Sequence, residues 1–398
     1  MKKIATLLAV AVVALVAAPA LADLAPPRLV TPRPRPAPDR PVAPKRPLVQ
    51  VAILLDTSNS MDGLIGQAKT ELWRIVNEIA SYRRNGADPL VQVALYEYGN
   101  TSLPAEQGYL RLVSPLTSDL DAISEALFNL TTNGGDEYCG LAIHRATADL
   151  AWSTNPDDYR AIFIAGNEPF TQGKTDYRTA VAEATRKGIY VNTIHCGSLD
   201  EGVSGGWRDG ADRGRGNYMA IDQGDRQVHV ATPYDAEIAA LGEKLNGTYV
   251  GYGRGGRGKA MKERQEAQDR NSEKAGGSAA VERSVAKGKK GVYSNESWDM
   301  VDAKKQGKIK AAAAVPEEEL PDEMKKMSPA QREAYLDQKA KDREEIQKKI
   351  EDLSAKRTKF LADAAAKGAK DKDGTFDGAM RKALKGQMTQ KKFESKQP

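Results

Sequence analysis

Where the apolar run "VAILLDTSNSM" (51–61) ends, Asp56, Ser58 and Ser60 place side-chain oxygens at alternate positions. A carboxylate at a strand end, followed by hydroxyls at the second and fourth positions beyond it, can curl so that three oxygens face one point. That arrangement suits a hard cation. Magnesium takes near-octahedral oxygen ligands at about 2.0–2.1 Å, and Mn²⁺ or Ca²⁺ accept related sets. Hydroxyls are neutral, so an ion held by few carboxylates stays electron-poor and attracts a carboxylate from another molecule. Two further segments carry oxygen donors. "TTNGGDEYCG" (131–140) offers Asp136 and Glu137 with Thr131 and Thr132 earlier in the loop, and "IAGNEPF" (164–170) offers Asn167 and Glu168.

Such loops need a scaffold that brings them together. "LVQVAILLD" (48–56) reads as a buried strand, short, continuous and rich in β-branched residues. "GLIGQAKTELWRIVNEIASYRR" places Leu64, Ala68, Leu72, Ile75, Val76 and Ile79 at helical spacing. Strand-like runs recur in "PLVQVALYEYG", "GYLRLVSPL", "YRAIFIAG", "IYVNTIHCG" and "NYMAIDQ". Helical runs lie between them or after them in "DLDAISEALFNL", "CGLAIHRATADLAW", "DYRTAVAEATRKG" and "DAEIAALGEKLNG". Strands separated by helices predict a largely parallel sheet covered on both faces. Ligands of such sheets bind at the carboxyl ends of the strands, where Asp56, Gly166 and Cys196 all fall.

The motif "DTSNSM" on a buried strand, within α/β residues 49–250, resembles the von Willebrand factor A (VWA) family, whose pattern is D-x-S-x-S, commonly followed by Met. More narrowly, "DTSNSMDGLI", "GGDEYCG", "IAGNEPF", "IDQ" and "LNGTY" resemble a group of exported bacterial VWA proteins. The resemblance implies a doubly wound, mostly parallel six-stranded sheet and a metal-ion-dependent adhesion site that binds protein partners. Two family features are missing. The threonine that usually follows a Gly-Gly pair is replaced by Asp136, counting from Gly135, or by Glu137, counting back from Gly140. The aspartate after the fourth strand is replaced by Gly166, with Asn167 and Glu168 the nearest donors. The implied metal set is therefore Asp56, Ser58 and Ser60, with Asp136, Glu137 and Glu168 as candidates. A carboxylate that coordinates directly neutralises the ion and weakens capture of a partner's carboxylate. The other reading is a degenerate site in which Asp56 and the serines hydrogen-bond the loop.

Cys139 and Cys196 are the only cysteines. In an oxidising compartment two is the number that makes one disulfide. A Cys139–Cys196 bridge would clamp the second metal loop to the fifth strand; the alternative is two small buried thiols. "GSLDEGVSGGWRDGADRGRGNYMAIDQ" (197–223) is long for a loop in a compact domain, and loops of that kind often carry function. Its Trp207 is a candidate binding anchor, or else packs the loop onto the sheet.

The flanking segments place the domain. Residues 1–22, "MKKIATLLAVAVVALVAAPALA", have the charged start, apolar stretch and small-residue site of a secretory signal cleaved after Ala22. The expected location is periplasmic, and no later segment is apolar enough to span a membrane. Residues 23–48 form a proline-rich linker, and 49–253 the VWA domain. Residues 254–327 read as a flexible Gly/Lys-rich segment and 328–366 as one charged helix, solvated or docking as a coiled coil. Residues 367–398 read as a basic tail. Charge divides unevenly, with 16 Lys and Arg against 27 Asp and Glu over 50–253, and 35 against 25 over 254–398.

No persuasive catalytic set appears. His195 and Cys196 are adjacent in one strand and point to opposite faces, and "GYGRGGRG" lacks the G-K-[ST] ending of a phosphate loop. The sequence thus points to a periplasmic protein-interaction module with a non-standard metal site, not an enzyme and not a nucleic-acid binder. The runner-up is an envelope-associated protein with an inert rim, whose basic tail binds an anionic polymer or the chain's own acidic domain.

Overall fold

A computed structural model describes residues 46–222, 230–289, 291–366 and 376–396. The expected export signal and nearly all of the linker lie outside the described residues, as does part of the C-terminal tail. The strands are β1 (Leu48–Asp56), β2 (Tyr82–Arg83), β3 (Leu90–Tyr98), β4 (Leu110–Thr117), β5 (Tyr159–Gly166), β6 (Tyr190–Cys196), β7 (Arg215–Ile221) and β8 (Glu394–Ser395). One six-stranded sheet has the order β4-β3-β1-β5-β6-β7. Only its edge strand β4 runs antiparallel; the other pairings are parallel.

β1 lies centrally, which is why it reads as a continuous apolar run. Val49, Val51, Ile53 and Leu55 enter one core cluster, and Ala52 and Leu54 the other. The first cluster is roofed by α1 (Asp62–Ala80), α2 (Leu120–Phe128) and α7 (Asp235–Asn246). The second is roofed by α3 (Cys139–Asp149) and α4 (Tyr177–Arg186). The loop after β6 folds as α5 (Leu199–Ser204) and α6 (Trp207–Arg213), and Trp207 joins that second cluster. In register, Asp56 lies beside Tyr98, Leu55 beside Ala165, and Gly166 beside His195. One rim therefore carries the ends of four neighbouring strands.

The chain beyond residue 253 differs from the flexible segment and tail anticipated. It forms α8 (Arg257–Ala275), α9 (Gly277–Gly288), α10 (Met300–Lys305), α11 (Asp322–Lys325), α12 (Pro329–Ala366) and α13 (Phe376–Gln390). Val281, Val285 and Ala286 of α9 join the first core cluster, as do Met380, Leu384 and Met388 of α13. A boundary at residue 253 therefore does not divide the core. Sequence reading missed this because the segment is poor in apolar residues and is held largely by paired charge. Arg283, 1% exposed, pairs with Asp121 at 2.7 Å and stands 4.6 Å from the Trp73 ring. Lys287 pairs with Asp269 at 2.8 Å, Arg343 with Asp299 at 2.6 Å, and Arg357 with both Asp235 and Glu282 at 2.8 Å. Buried charges persist only when paired and hydrogen-bonded. Arg283–Asp121 and Arg357–Asp235 meet this demand between the acidic body and the basic C-terminal half, and the other pairs meet it within that half.

Ser328 and Gln331 form a reciprocal cap at the start of α12. Its Ile346, Ile350 and Leu353 dock on the first cluster, while Phe360 stays 38% exposed. α13 lies along β6 and β7, where Gln387 accepts from Tyr159 Oη at 2.7 Å and donates to Asn192 Oδ1 at 2.7 Å. β8 then pairs with β2, tying the chain's last described residues to the turn after α1.

Phe376, Met380, Leu384, Met388 and Phe393 are each 3% exposed or less. Each contributes about 1.5–3 kcal/mol by burial, and their sum reaches the whole stability of a typical domain, about 5–15 kcal/mol. A chain ending at residue 375 is expected to lose cooperative thermal unfolding in circular dichroism. A melt superimposable on that of the intact chain would show that α13 is dispensable.

Candidate metal centre at the carboxyl edge of the sheet

The loop after β1 turns back at once, and the Ser58 amide donates to Asp56 Oδ1 at 2.8 Å. That bond fixes the curl which brings the hydroxyls round: Ser58 Oγ lies 3.1 Å from Ser60 Oγ. The second loop is stitched to the first by the Asn133 amide, which donates to the Thr57 carbonyl at 3.0 Å, and to the loop after β3 by the Thr101 amide, which donates to the Gly134 carbonyl at 2.7 Å. The glycines permit this close approach. A Cβ on Gly135 would stand 2.6 Å from the Gly99 carbonyl oxygen. Gly99 itself has φ +79°, and a Cβ there would meet Asp56 Oδ1 and Glu137 Cγ, each at 2.8 Å. Asp56 and Glu137 thus press on one glycine from two loops.

Of the two carboxylates offered by "GGDEY", the structure chooses Glu137. Its amide donates to Gln172 Oε1 at 2.6 Å, and the residue is 6% exposed. Asp136 turns away and accepts from Tyr138 Oη at 2.9 Å. Glu137 is the residue reached by counting back from Gly140, which packs against the Thr175 carbonyl where α3 begins. The third loop adds Asn167, whose Nδ2 donates to Ser60 Oγ at 3.2 Å. Glu168 acts on Asp56 and Glu137 through its charge. An aspartate at Gly166 would not fit, since its Cβ would stand 2.5 Å from Tyr98 Oη. Tyr98, which the sequence did not single out, donates to the Ala165 carbonyl at 2.9 Å and fills that space.

The electrostatics point to a missing positive charge. Asp56 is fully buried, and its Oδ2 has no hydrogen-bond partner; nor has the buried Oδ1 of Asn167. Burial, with the charge of Glu168, pushes the Asp56 carboxyl up to about 7. Burial and then the charges of Asp56 and Glu168 push Glu137 up to about 7 as well. Among the described residues no three carboxylate, imidazole or thiolate side chains gather tightly enough to chelate an ion by themselves. A divalent cation here would instead draw on Asp56, the Ser58 and Ser60 hydroxyls, Glu137 and the Asn167 amide oxygen, with Glu168 close by. The two orphaned oxygens fit such an ion, which would supply the charge that lets the carboxylates ionise.

The anticipated disulfide is not formed. Both cysteines are free and buried. Cys139 sits in the cluster with α3 and α4, Cys196 in the cluster with α1, so the sheet itself separates them. Cys139 Sγ lies 3.7 Å from Tyr98 Oη. Burial holds both thiols well above their usual range, and a protonated buried thiol is a poor nucleophile. Both His195 ring nitrogens lie 3.1 Å from backbone carbonyls, those of Ser198 and Asn167. Trp207 is not an exposed anchor either. It is fully buried, 4.7 Å from the Phe170 ring centroid, and its Nε1 donates to the Glu168 carbonyl at 2.9 Å. It supports the third loop from beneath.

Residues 50–203 match the model of the von Willebrand factor type A domain, so this part of the chain is a VWA domain. Domains of this family are generally protein-interaction or adhesion modules, and some bind a divalent cation at a metal-ion-dependent adhesion site. No curated protein matches the chain. Among solved structures, the chain is similar to BatB from Bacteroides thetaiotaomicron at 19% identity, covering 56% of this chain and 99% of that one, with a TM-score of 0.34. The SpRpn10 VWA domain is 17% identical, over 45% of this chain and 90% of that one, with a TM-score of 0.34. Proximal thread matrix protein 1 from the mussel byssus, described with zinc in its MIDAS motif, is 12% identical over 45% and 42%, with a TM-score of 0.35. Among the described residues no helix is long and apolar enough to cross a membrane.

Because the folded-state values of Asp56 and Glu137 lie above their ordinary 3.8 and 4.5, the folded chain binds more protons than the unfolded one from about there to pH 7. Stability without metal therefore falls as pH rises through that window. In chelator the melting temperature is expected to drop between pH 5 and pH 8, and added divalent cation to restore it at pH 8 only. Asp56→Asn should flatten the profile and abolish the cation response; an unchanged slope would place the titrating groups elsewhere. Denatured but unreduced protein should take up two thiol labels per chain, whereas none would reveal a bridge.

Proposed function

We propose that the chain is an exported, periplasmic protein-interaction module whose contact face is the carboxyl edge of the VWA sheet. A divalent cation, Mg²⁺ by the preference of an all-oxygen set, would be held by Asp56, Ser58, Ser60 and Glu137, with Glu168 in support. The observation that carries this reading is the orphaned Asp56 Oδ2, buried beneath two converged hydroxyls. Beside the loops lies a cleft of about 490 Å³ lined by Asn167, Glu168, His195, Glu201 and Ser204. On the same short helix as Glu201 and Ser204, Leu199 is 60% and Val203 41% exposed, a small apolar surface that suits a protein partner.

Three carboxylates exceed the charge of one divalent ion. The cation would therefore chiefly order the loops, and a partner's carboxylate would bind it weakly. The second reading, an envelope-associated protein acting through its basic tail, is less favoured. Arg264, Arg283, Arg343 and Arg357 already pair with carboxylates of the same chain, several of them in the core.

Calorimetric titration with Mg²⁺, Mn²⁺ and Ca²⁺ is expected to give one site per chain, lost in Asp56→Ala. Glu137→Thr should keep the cation and tighten binding of an acidic peptide by about tenfold, the order of one removed like charge. Capture of a partner from envelope extract should require Asp56. Heat-silent titrations, together with capture that Asp56→Ala leaves intact, would refute the reading.

A further inference from the structure

At the opposite, amino edge of the sheet a cavity of about 750 Å³ opens between the end of α1, α9 and α12. That volume lies in the range of small-molecule sites, about 300–1,000 Å³. Its apolar walls come from Ala80, Val285, Val292, Ile350, Ala355 and Ala362, and no aromatic ring lines it among the described residues. Lys289, the residue that ends α9, lines the cavity too.

Among the described residues Lys289 forms no ion pair. Its Nζ donates to the Asn77 carbonyl at 3.0 Å, which uses one of three donors. The surrounding carboxylates are committed elsewhere. Glu282 pairs with Arg357 at 2.8 Å and accepts from Asn77 Nδ2 at 2.7 Å; Asp88 pairs with Lys396 at 2.6 Å; Glu78 accepts from Tyr82 Oη at 3.3 Å. Burial pushes the Lys289 ammonium down to about 8, against the opposing pull of Glu282, Glu78 and Asp88. A cation with spare donors, facing an aliphatic space, wants an anion carrying an aliphatic body. Lys396 is neutralised by Asp88, and Glu351 offsets Lys359 among the lining residues, so the one positive charge left favours a monoanion over a phosphate dianion.

We propose that this cavity binds an aliphatic monocarboxylate, its carboxylate on Lys289 Nζ and its chain along Val285, Val292 and Ile350. The site is independent of the cation centre, which lies at the other end of the strands.

Calorimetric titration of the full chain at neutral pH compares decanoate, decanol and decyltrimethylammonium. Decanoate is expected to bind at least about tenfold more tightly than decanol, the scale of one charge-assisted contact, and the cationic probe not at all. K289M should reduce decanoate affinity to that of decanol without changing decanol binding. A355W, which fills the space from α12, should abolish both. Absence of decanoate binding, equal affinity for all three probes, or decanoate affinity unchanged in K289M or A355W would overturn the proposal. Should K289M fail to fold, the ranking of the three probes on the unaltered chain still decides.

Discussion

A carboxylate buried at the end of the central strand governs this molecule. Asp56 is placed by β1, flanked by β3 and β5, and so cannot reach solvent. The cost of ionising it there is what two glycines, an amide from Ser58 and the approach of three loops are arranged around. Glu168 adds to that cost instead of relieving it, and Asp56 in turn makes Glu137 harder to ionise. A domain that gathers negative charge in a dry place either keeps protons or takes a cation. Chemistry at the rim follows from that choice.

The replacement of the family's threonine and aspartate is coherent in this light. Tyr98 occupies the space an aspartate at position 166 would need, and its hydroxyl is bonded to the Ala165 carbonyl. Glu137, from the loop where the family carries a hydroxyl, brings a carboxylate against Gly99 beside Asp56. Charge has moved from the fourth strand to the second loop. A cation held there, as proposed, would have its charge met from within the chain instead of seeking an external carboxylate.

The same economy of charge builds the other half of the protein. α8, α9 and α12 carry few apolar residues, yet Arg283, Lys287, Arg343 and Arg357 are buried because each meets a carboxylate. The helical wrap ends in α13, whose Met and Leu side chains complete the core over α1. Lys289 stands outside this pattern, a cation at an apolar cavity with no ion pair among the described residues.

The mostly parallel six-stranded sheet, and the convergence of Ser58 and Ser60 beyond Asp56 at the end of its first strand, were legible in the residues. Strand periodicity and a strand-end D-x-S-x-S are local, and local pattern survives in a linear chain. Three things were not legible. The choice of Glu137 over Asp136 depended on Gly140 docking against the Thr175 carbonyl. The separation of Cys139 from Cys196 depended on which face of the sheet each one joins, and two residues counted along a chain carry no such information. The order of residues 254–366 depended on ion pairs between residues as far apart as Asp121 and Arg283. Sequence alone determined where oxygen donors and apolar stripes occur; tertiary structure decided which of them meet. Hydrophobic periodicity is written every few residues, whereas the pairing of buried charges exists only once the chain has closed on itself.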